Sequence, residues 1–184
     1  MNTKTIKFNA PIRILSETFG IKKAMMTTVH GYTADQNLQD GPHKDLRRAR
    51  AAAENIVPTT TGAARAVGEV IPNVQGIFDG LAIRVPVLTC SLADITAVLK
   101  KKVTKEEVNK ALIDASKLAR FANVLLTTEE ELVSSDFVAN PYSSIVDLKL
   151  TNVVDGDLVK VIAWYDNEMG YSYRLVEIAE MFAQ

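Results

Sequence analysis

From Met25 to Val29 apolar and β-branched residues follow one another, with no Gly or Pro before Gly31. Such a run predicts a buried strand, here spanning Ile21 to Val29. Ahead of it, Pro11 opens a short helix through Phe19, and Gly20 supplies its C-terminal stop. Behind it, residues 31–45 form a long polar loop containing Asp40-Gly41-Pro42, a length usual for functional or interface loops. Leu46 to Ala53 is basic and alanine-rich, which predicts a helical segment. A further helix runs from Gly62 to Val70, where Pro72 ends it. Residues 81–87 and 92–99 read as strands of an antiparallel sheet. Thr104 and Glu107 form a capping box for a helix reaching Leu118, and Thr128 with Glu131 repeats that pattern before a short helix. Ile145–Leu150 and Leu158–Trp164 read as strands flanking the Asp155-Gly156 turn. Alternation along the first of these places Val146, Leu148 and Leu150 on one apolar face. The last helix, Glu168 to Phe182, carries Leu175, Ile178, Ala179 and Phe182 as an apolar stripe. Strands and helices mix without a βαβ rhythm. The expected fold is α+β, a mostly antiparallel mixed sheet with helices on one face.

Composition narrows the function classes. The chain has 184 residues, enough for one domain with a sizeable core. It carries 21 basic and 22 acidic residues, a formal net charge of -1, so no bulk field draws it to nucleic acid or a membrane. No apolar run is long enough for a transmembrane helix, and no signal-peptide core follows the N-terminus. The one cysteine, Cys90, excludes an intrachain disulfide and suits a cytoplasmic protein. No metal site is expected.

Four stretches carry candidate chemistry. Met25-Met26-Thr27-Thr28-Val29-His30-Gly31-Tyr32-Thr33-Ala34-Asp35-Gln36 puts His30 where a strand opens into a polar loop, a position for an acid/base group or for a hydrogen-bonded structural histidine. Thr59-Thr60-Thr61-Gly62-Ala63-Ala64-Arg65 opens a helix, whose unpaired N–H groups bind anions or are capped by a threonine. Ile83-Arg84-Val85-Pro86 ends a strand, with Arg84 between apolar neighbours. Trp164-Tyr165-Asp166-Asn167-Glu168-Met169-Gly170-Tyr171 links a strand to the last helix.

In this order the four closely resemble the catalytic domain of the phosphorylating glyceraldehyde-3-phosphate dehydrogenases, from Phe19 to the C-terminus. The resemblance implies a sugar-phosphate substrate, inorganic phosphate as acyl acceptor, and NAD. It assigns His30 as the acid/base residue. It places the substrate's phosphate at Thr33, Arg48 and Arg84, and the attacking phosphate at Thr61 and Gly62. Asn167 is the cofactor contact, with Tyr171 beside it; Asp35 and Gln36 are supporting candidates.

The beginning of the chain departs from the family. The family's Ser-Cys-Thr-Thr-Asn-Cys run is replaced by Thr3-Lys4-Thr5-Ile6-Lys7-Phe8. Counting back from Pro11 puts the nucleophile position at Lys4; counting back from His30 puts it at Thr3. Neither is a cysteine. The Gly-x-Gly-x-x-Gly loop of the family's Rossmann domain does not occur in residues 1–184 either. The expectation is one substrate-side catalytic domain spanning residues 1–184, inactive alone. Its partners are a homo-oligomer or an association with a Rossmann half. The alternatives are the catalytic domain of an erythrose-4-phosphate dehydrogenase and a non-catalytic binding or assembly module.

Overall fold

A computed structural model describes residues 10–183. Seven strands form one sheet: β1 (Ile21–Gly31), β2 (Val57–Thr60), β3 (Phe78–Val85), β4 (Ser91–Leu99), β5 (Leu125–Thr128), β6 (Ser144–Val154) and β7 (Leu158–Tyr165). Their order is β2-β3-β1-β4-β7-β6-β5. β1 runs parallel to β3 and β5 to β6; the other neighbours are antiparallel. The α+β expectation therefore holds. The strands read at 81–87 and 92–99 do not pair with each other: β1 lies between them, parallel to the first and antiparallel to the second.

Among the described residues four helices accompany the sheet: α1 (Ala10–Thr18), α2 (Ala63–Val70), α3 (Lys105–Ser116) and α4 (Met169–Ala183). α1 stops where Gly20 takes φ +71°, and Asp155 and Gly156, both at positive φ, make the β6–β7 turn. Ile12 and Leu15 of α1, Val67 of α2 and Val108 and Leu112 of α3 bury into one core. They meet Met26, Ile95, Leu99, Val146, Leu148 and Val161 on one face of the sheet. Of the expected apolar face, Val146 and Leu148 are thus covered by the protein's own helices, while Leu150 stays 48% exposed. The opposite face is partly covered by a smaller cluster of Cys90, Phe137 and Ile145 with Trp164, whose ring stacks on Phe137. Elsewhere on that face Met25 is 63% exposed and Leu81 40%.

Three helical expectations fail for local reasons. Leu46–Ala53 is a series of turns. Asp45 Oδ1 accepts from the N–H groups of Arg47 and Arg48, Asp40 Oδ1 accepts from Ala51 N, and Ala52 N donates to Asn37 O. The backbone donors are tied to the preceding loop, and that competes with a helical ladder. Thr128 Oγ1 accepts from Glu130 N in an isolated turn, and the only helical turn nearby is the 3-10 segment Ser134–Phe137. The predicted stripe on α4 lies outward: Leu175 is 54% exposed and Phe182 88%. The buried members of α4 are Gly170 and Arg174. Arg174 Nη1 donates to Asn123 O at 2.6 Å and pairs with Glu177 at 2.8 Å.

Candidate functional site

The sheet register builds the site along one edge. His30 stands opposite Arg84 of β3 on one side and Ser91 of β4 on the other. Ser91 in turn stands opposite Tyr165 of β7. Paired residues share a face, so these four side chains form a row across the ends of four strands. Just beyond the row the backbone is crowded: a Cβ on Gly31 would lie 2.5 Å from the Val87 carbonyl oxygen. Glycine is needed there for that close approach.

His30 is half-buried, and its Nδ1 lies 2.8 Å from Gly31 O. A carbonyl oxygen only accepts, so Nδ1 carries the proton and Nε2 is left as the free basic nitrogen. Burial pulls the imidazole below its ordinary value, and the charges of Arg84 and Arg48 act in the same direction. The Gly31 carbonyl opposes them. A neutral histidine with one free nitrogen is suited to accepting a proton.

Beside it the loop after β1 folds over the end of β3. Arg84 Nη1 donates to Thr33 Oγ1 at 2.5 Å and to Gln36 Oε1 at 3.2 Å. Gln36 Oε1 also accepts from Thr33 N. Arg48 arrives from the turn segment: its Nε donates to Thr59 Oγ1 at 2.8 Å and its Nη1 to Asp35 Oδ2 at 2.5 Å. Thr59 Oγ1 donates in turn to Asp45 Oδ2. Thr33, Arg48 and Arg84 are therefore brought together, around Asp35. Arg48, Asp35, Asp45, His43 and Thr60 line a cleft of about 560 Å³. Arg84 is held below the ordinary guanidinium value, first by burial and then by repulsion from Arg48. Two like charges this close favour an anion between them.

Thr61 and Gly62 follow directly on Thr59 and Thr60, of which the first bonds to Arg48 and the second borders its cleft. β2 runs antiparallel to β3, with Val57 opposite Arg84 and Thr60 opposite Leu81. Thr61 Oγ1 accepts from Ala63 N, and Gly62 opens α2 with open space where a Cβ would sit. This helix start is a second anion-binding candidate, adjacent to the first.

Asn167 comes to the same sheet edge as His30 by a link absent from the sequence reading. Ser91 Oγ donates to Asn167 Oδ1 at 3.2 Å, leaving the Nδ2 hydrogens available. Buried Asp166 fixes the turn: Oδ1 accepts from Glu168 N and Met169 N, and Oδ2 from Ala139 N. Tyr165, buried against the hydroxyls of Ser91 and Thr28, has its phenol pushed up to about 12, chiefly by burial. Tyr171 is 39% exposed.

The supporting residues missed in the sequence are Ser91, Thr59 and Asp45. Thr59 begins a stretch singled out for its helix start, but nothing there marks its bond to Arg48, and nothing in the segments of Ser91 and Asp45 marks those two. Thr59 sits 11 residues from Arg48 and Ser91 76 from Asn167. Cys90 precedes β4 at φ 69° and is buried, with its thiol pushed up to about 11 by burial and by Asp166. A thiol in that state is a poor nucleophile. The nucleophile positions, Thr3 and Lys4, lie outside the described residues. No group of three or more His, Cys, Asp or Glu able to hold a metal occurs among the described residues, nor a helix long and apolar enough to cross a membrane.

The sequence matches known proteins. The family model for the C-terminal domain of glyceraldehyde 3-phosphate dehydrogenase matches residues 4–167. The chain is 54% identical over 173 residues to the glyceraldehyde-3-phosphate dehydrogenase of Mycobacterium avium, covering 94% of this chain and 50% of the relative. It is 53% identical over 171 residues to that of Geobacillus stearothermophilus, covering 93% and 51%. The chain spans about half the length of the curated relatives it matches. With the match running through His30, the two arginines and Asn167, the chain belongs to the glyceraldehyde-3-phosphate dehydrogenase family as a C-terminal domain.

Proposed function

We propose that these residues form the substrate-side half of an NAD-dependent, phosphorylating glyceraldehyde-3-phosphate dehydrogenase. The observation that carries the reading is the convergence of Thr33, Arg48 and Arg84 beside the half-buried His30. Two guanidinium forks and a hydroxyl match the oxygens of a sugar phosphate and hold the sugar's reactive end toward the imidazole. The free Nε2 takes a proton from the reacting group. Backbone N–H groups at Thr61 and Gly62 hold inorganic phosphate as the acyl acceptor. Asn167, with its amide oriented by Ser91, fits the carboxamide of NAD, and Tyr171 lies one turn beyond. NAD supplies the hydride acceptor when bound. This chain's own part is to bind, orient and deprotonate, in the cytoplasm.

The reading includes inactivity of residues 1–184 alone. A threonine or lysine at position 3 or 4 does not form the thioester that a cysteine forms, and residues acting as a unit lose most of their rate together. Orientation of the cofactor, worth roughly 7–11 kcal/mol at best, needs more than one amide contact. The assay is NADH production from glyceraldehyde 3-phosphate, NAD and phosphate. No turnover is expected; turnover lost on Cys90→Ser would overturn the reading of Cys90. Binding is tested separately by ¹⁵N NMR with inorganic phosphate, which should shift Thr33, Thr61 and Gly62. Unchanged amides at phosphate levels well above physiological remove the reading.

A second role, assembly, is favoured by apolar surface on the open sheet face and α4. Met25 and Leu81 on the sheet, and Val176, Met181 and Phe182 on α4, are exposed. Surfaces of this kind bind other protein surfaces, here further copies or a Rossmann half.

A further inference from the structure

Resting on the reading of Thr33, Arg48 and Arg84 as a sugar-phosphate pocket, we propose that Asp35 is an exchangeable counter-ion of that pocket. Its carboxylate bridges the two arginines until a phosphate dianion displaces it.

Two acids serve this cluster, and they are held differently. Asp45 is anchored: Oδ1 accepts from Arg47 N and Arg48 N, and Oδ2 accepts from Thr59 Oγ1. It lies 3.4 Å from Arg48 Nε and fixes the stem of that arginine. Asp35 has no such backbone hold. Among the described residues the partners of its carboxylate are side chains: Arg48 at 2.5 Å, Arg84 at 3.8 Å and His43 at 3.6 Å. One oxygen, Oδ2, faces both guanidinium groups. Half of the side chain is open to solvent, so it has room to rotate away.

The charges explain the exchange. Arg48 and Arg84 repel, and Asp35 offsets that repulsion. A carboxylate offers one charge and two oxygens. A phosphate dianion offers two charges and three oxygens, enough to engage both forks and the Thr33 hydroxyl together. A carboxylate left beside that dianion would be repelled, so binding and departure of Asp35 are coupled. Asp35 thereby lowers affinity for all anions, and monoanions lose most because they bring too little charge to replace it.

The test is a ¹⁵N NMR titration of the 184-residue chain and its Asp35→Asn variant with inorganic phosphate at neutral pH. Thr33 N–H and Arg84 Nε–H report this pocket, and Thr61 and Gly62 report the other. Asp35→Asn should tighten phosphate roughly twofold to fivefold at Thr33 and Arg84, the range expected for loss of a partly exposed ion pair. Thr61 and Gly62 should keep their affinity. Equal affinity in both chains at Thr33 and Arg84 overturns the exchange and leaves the pocket reading standing. Weaker binding in the variant overturns it too, since Asp35 would then be organising the arginines. No shift at Thr33 or Arg84 in either chain removes the pocket and the exchange together. A ¹³C titration of the unaltered chain does not depend on folding of the variant. Phosphate binding at Thr33 should move the Asp35 carboxyl resonance, and a static resonance alongside bound phosphate overturns the proposal.

Discussion

An imidazole half withdrawn from water beside two guanidinium groups releases its proton early. His30 should therefore titrate below the ordinary histidine value of about 6.5, as read by NMR of its ring protons. The sign for stability follows. The unfolded chain binds this proton more readily than the folded one. The contribution of His30 is complete above about 6.5 and is lost as pH falls through the lower folded value. Titration at or above 6.5 would show that the ring is less buried than its surroundings indicate. Gly31→Ala should be severely destabilising, by about 2 kcal/mol or more, because backbone rather than a flexible side chain opposes the new Cβ. Chemical denaturation measures it. Much at this scale could be read in the chain. His30 and Thr33 follow a buried strand, and Arg84 sits between apolar residues. Ser91, Thr59 and Asp45 could not be read, because their meaning depends on register across β1, β4 and the turn segment. A one-residue slip in that register would face Ser91 away from Asn167.

At the scale of elements, α3 shows a local signal that the fold obeys. Thr104 Oγ1 accepts from Glu107 N and Glu107 Oε2 accepts from Thr104 N. Thr104→Ala should cost about 1 kcal/mol in denaturant midpoint analysis, with the slope unchanged. The same residue types at Thr128 and Glu131 gave no helix. Capping spends its effect only where an apolar stripe follows. Val108, Leu112 and Ala115 supply that stripe in α3, and nothing comparable follows Thr128. Leu46–Ala53 fails for the converse reason. Alanine favours a helix, but Asp40, Asp45 and Asn37 capture its backbone donors and hold Arg48 out toward the cleft. Propensity is a weak prior against a set of fixed hydrogen bonds.

For the whole molecule, the sheet separates its two faces by task. One is closed by α1, α2 and α3; the other keeps Met25 and Leu81 in the open. Sedimentation velocity should show concentration-dependent association in the micromolar range, weakened by Met25→Glu. A monodisperse monomer throughout would count against the assembly role. α4 belongs to neither face in the same sense. Of its 15 residues, only Gly170 and Arg174 are buried. The helix therefore buries little of itself against the rest of the fold, and it should open without the sheet opening. In hydrogen exchange, the α4 amides should lose protection at a free energy well below that of β1 and β4, as a cooperative unit of its own. A protease at low concentration should then trim the chain from its C-terminal side while the seven-stranded sheet stays intact. The turn carrying Asn167 would be the first part of the site to loosen.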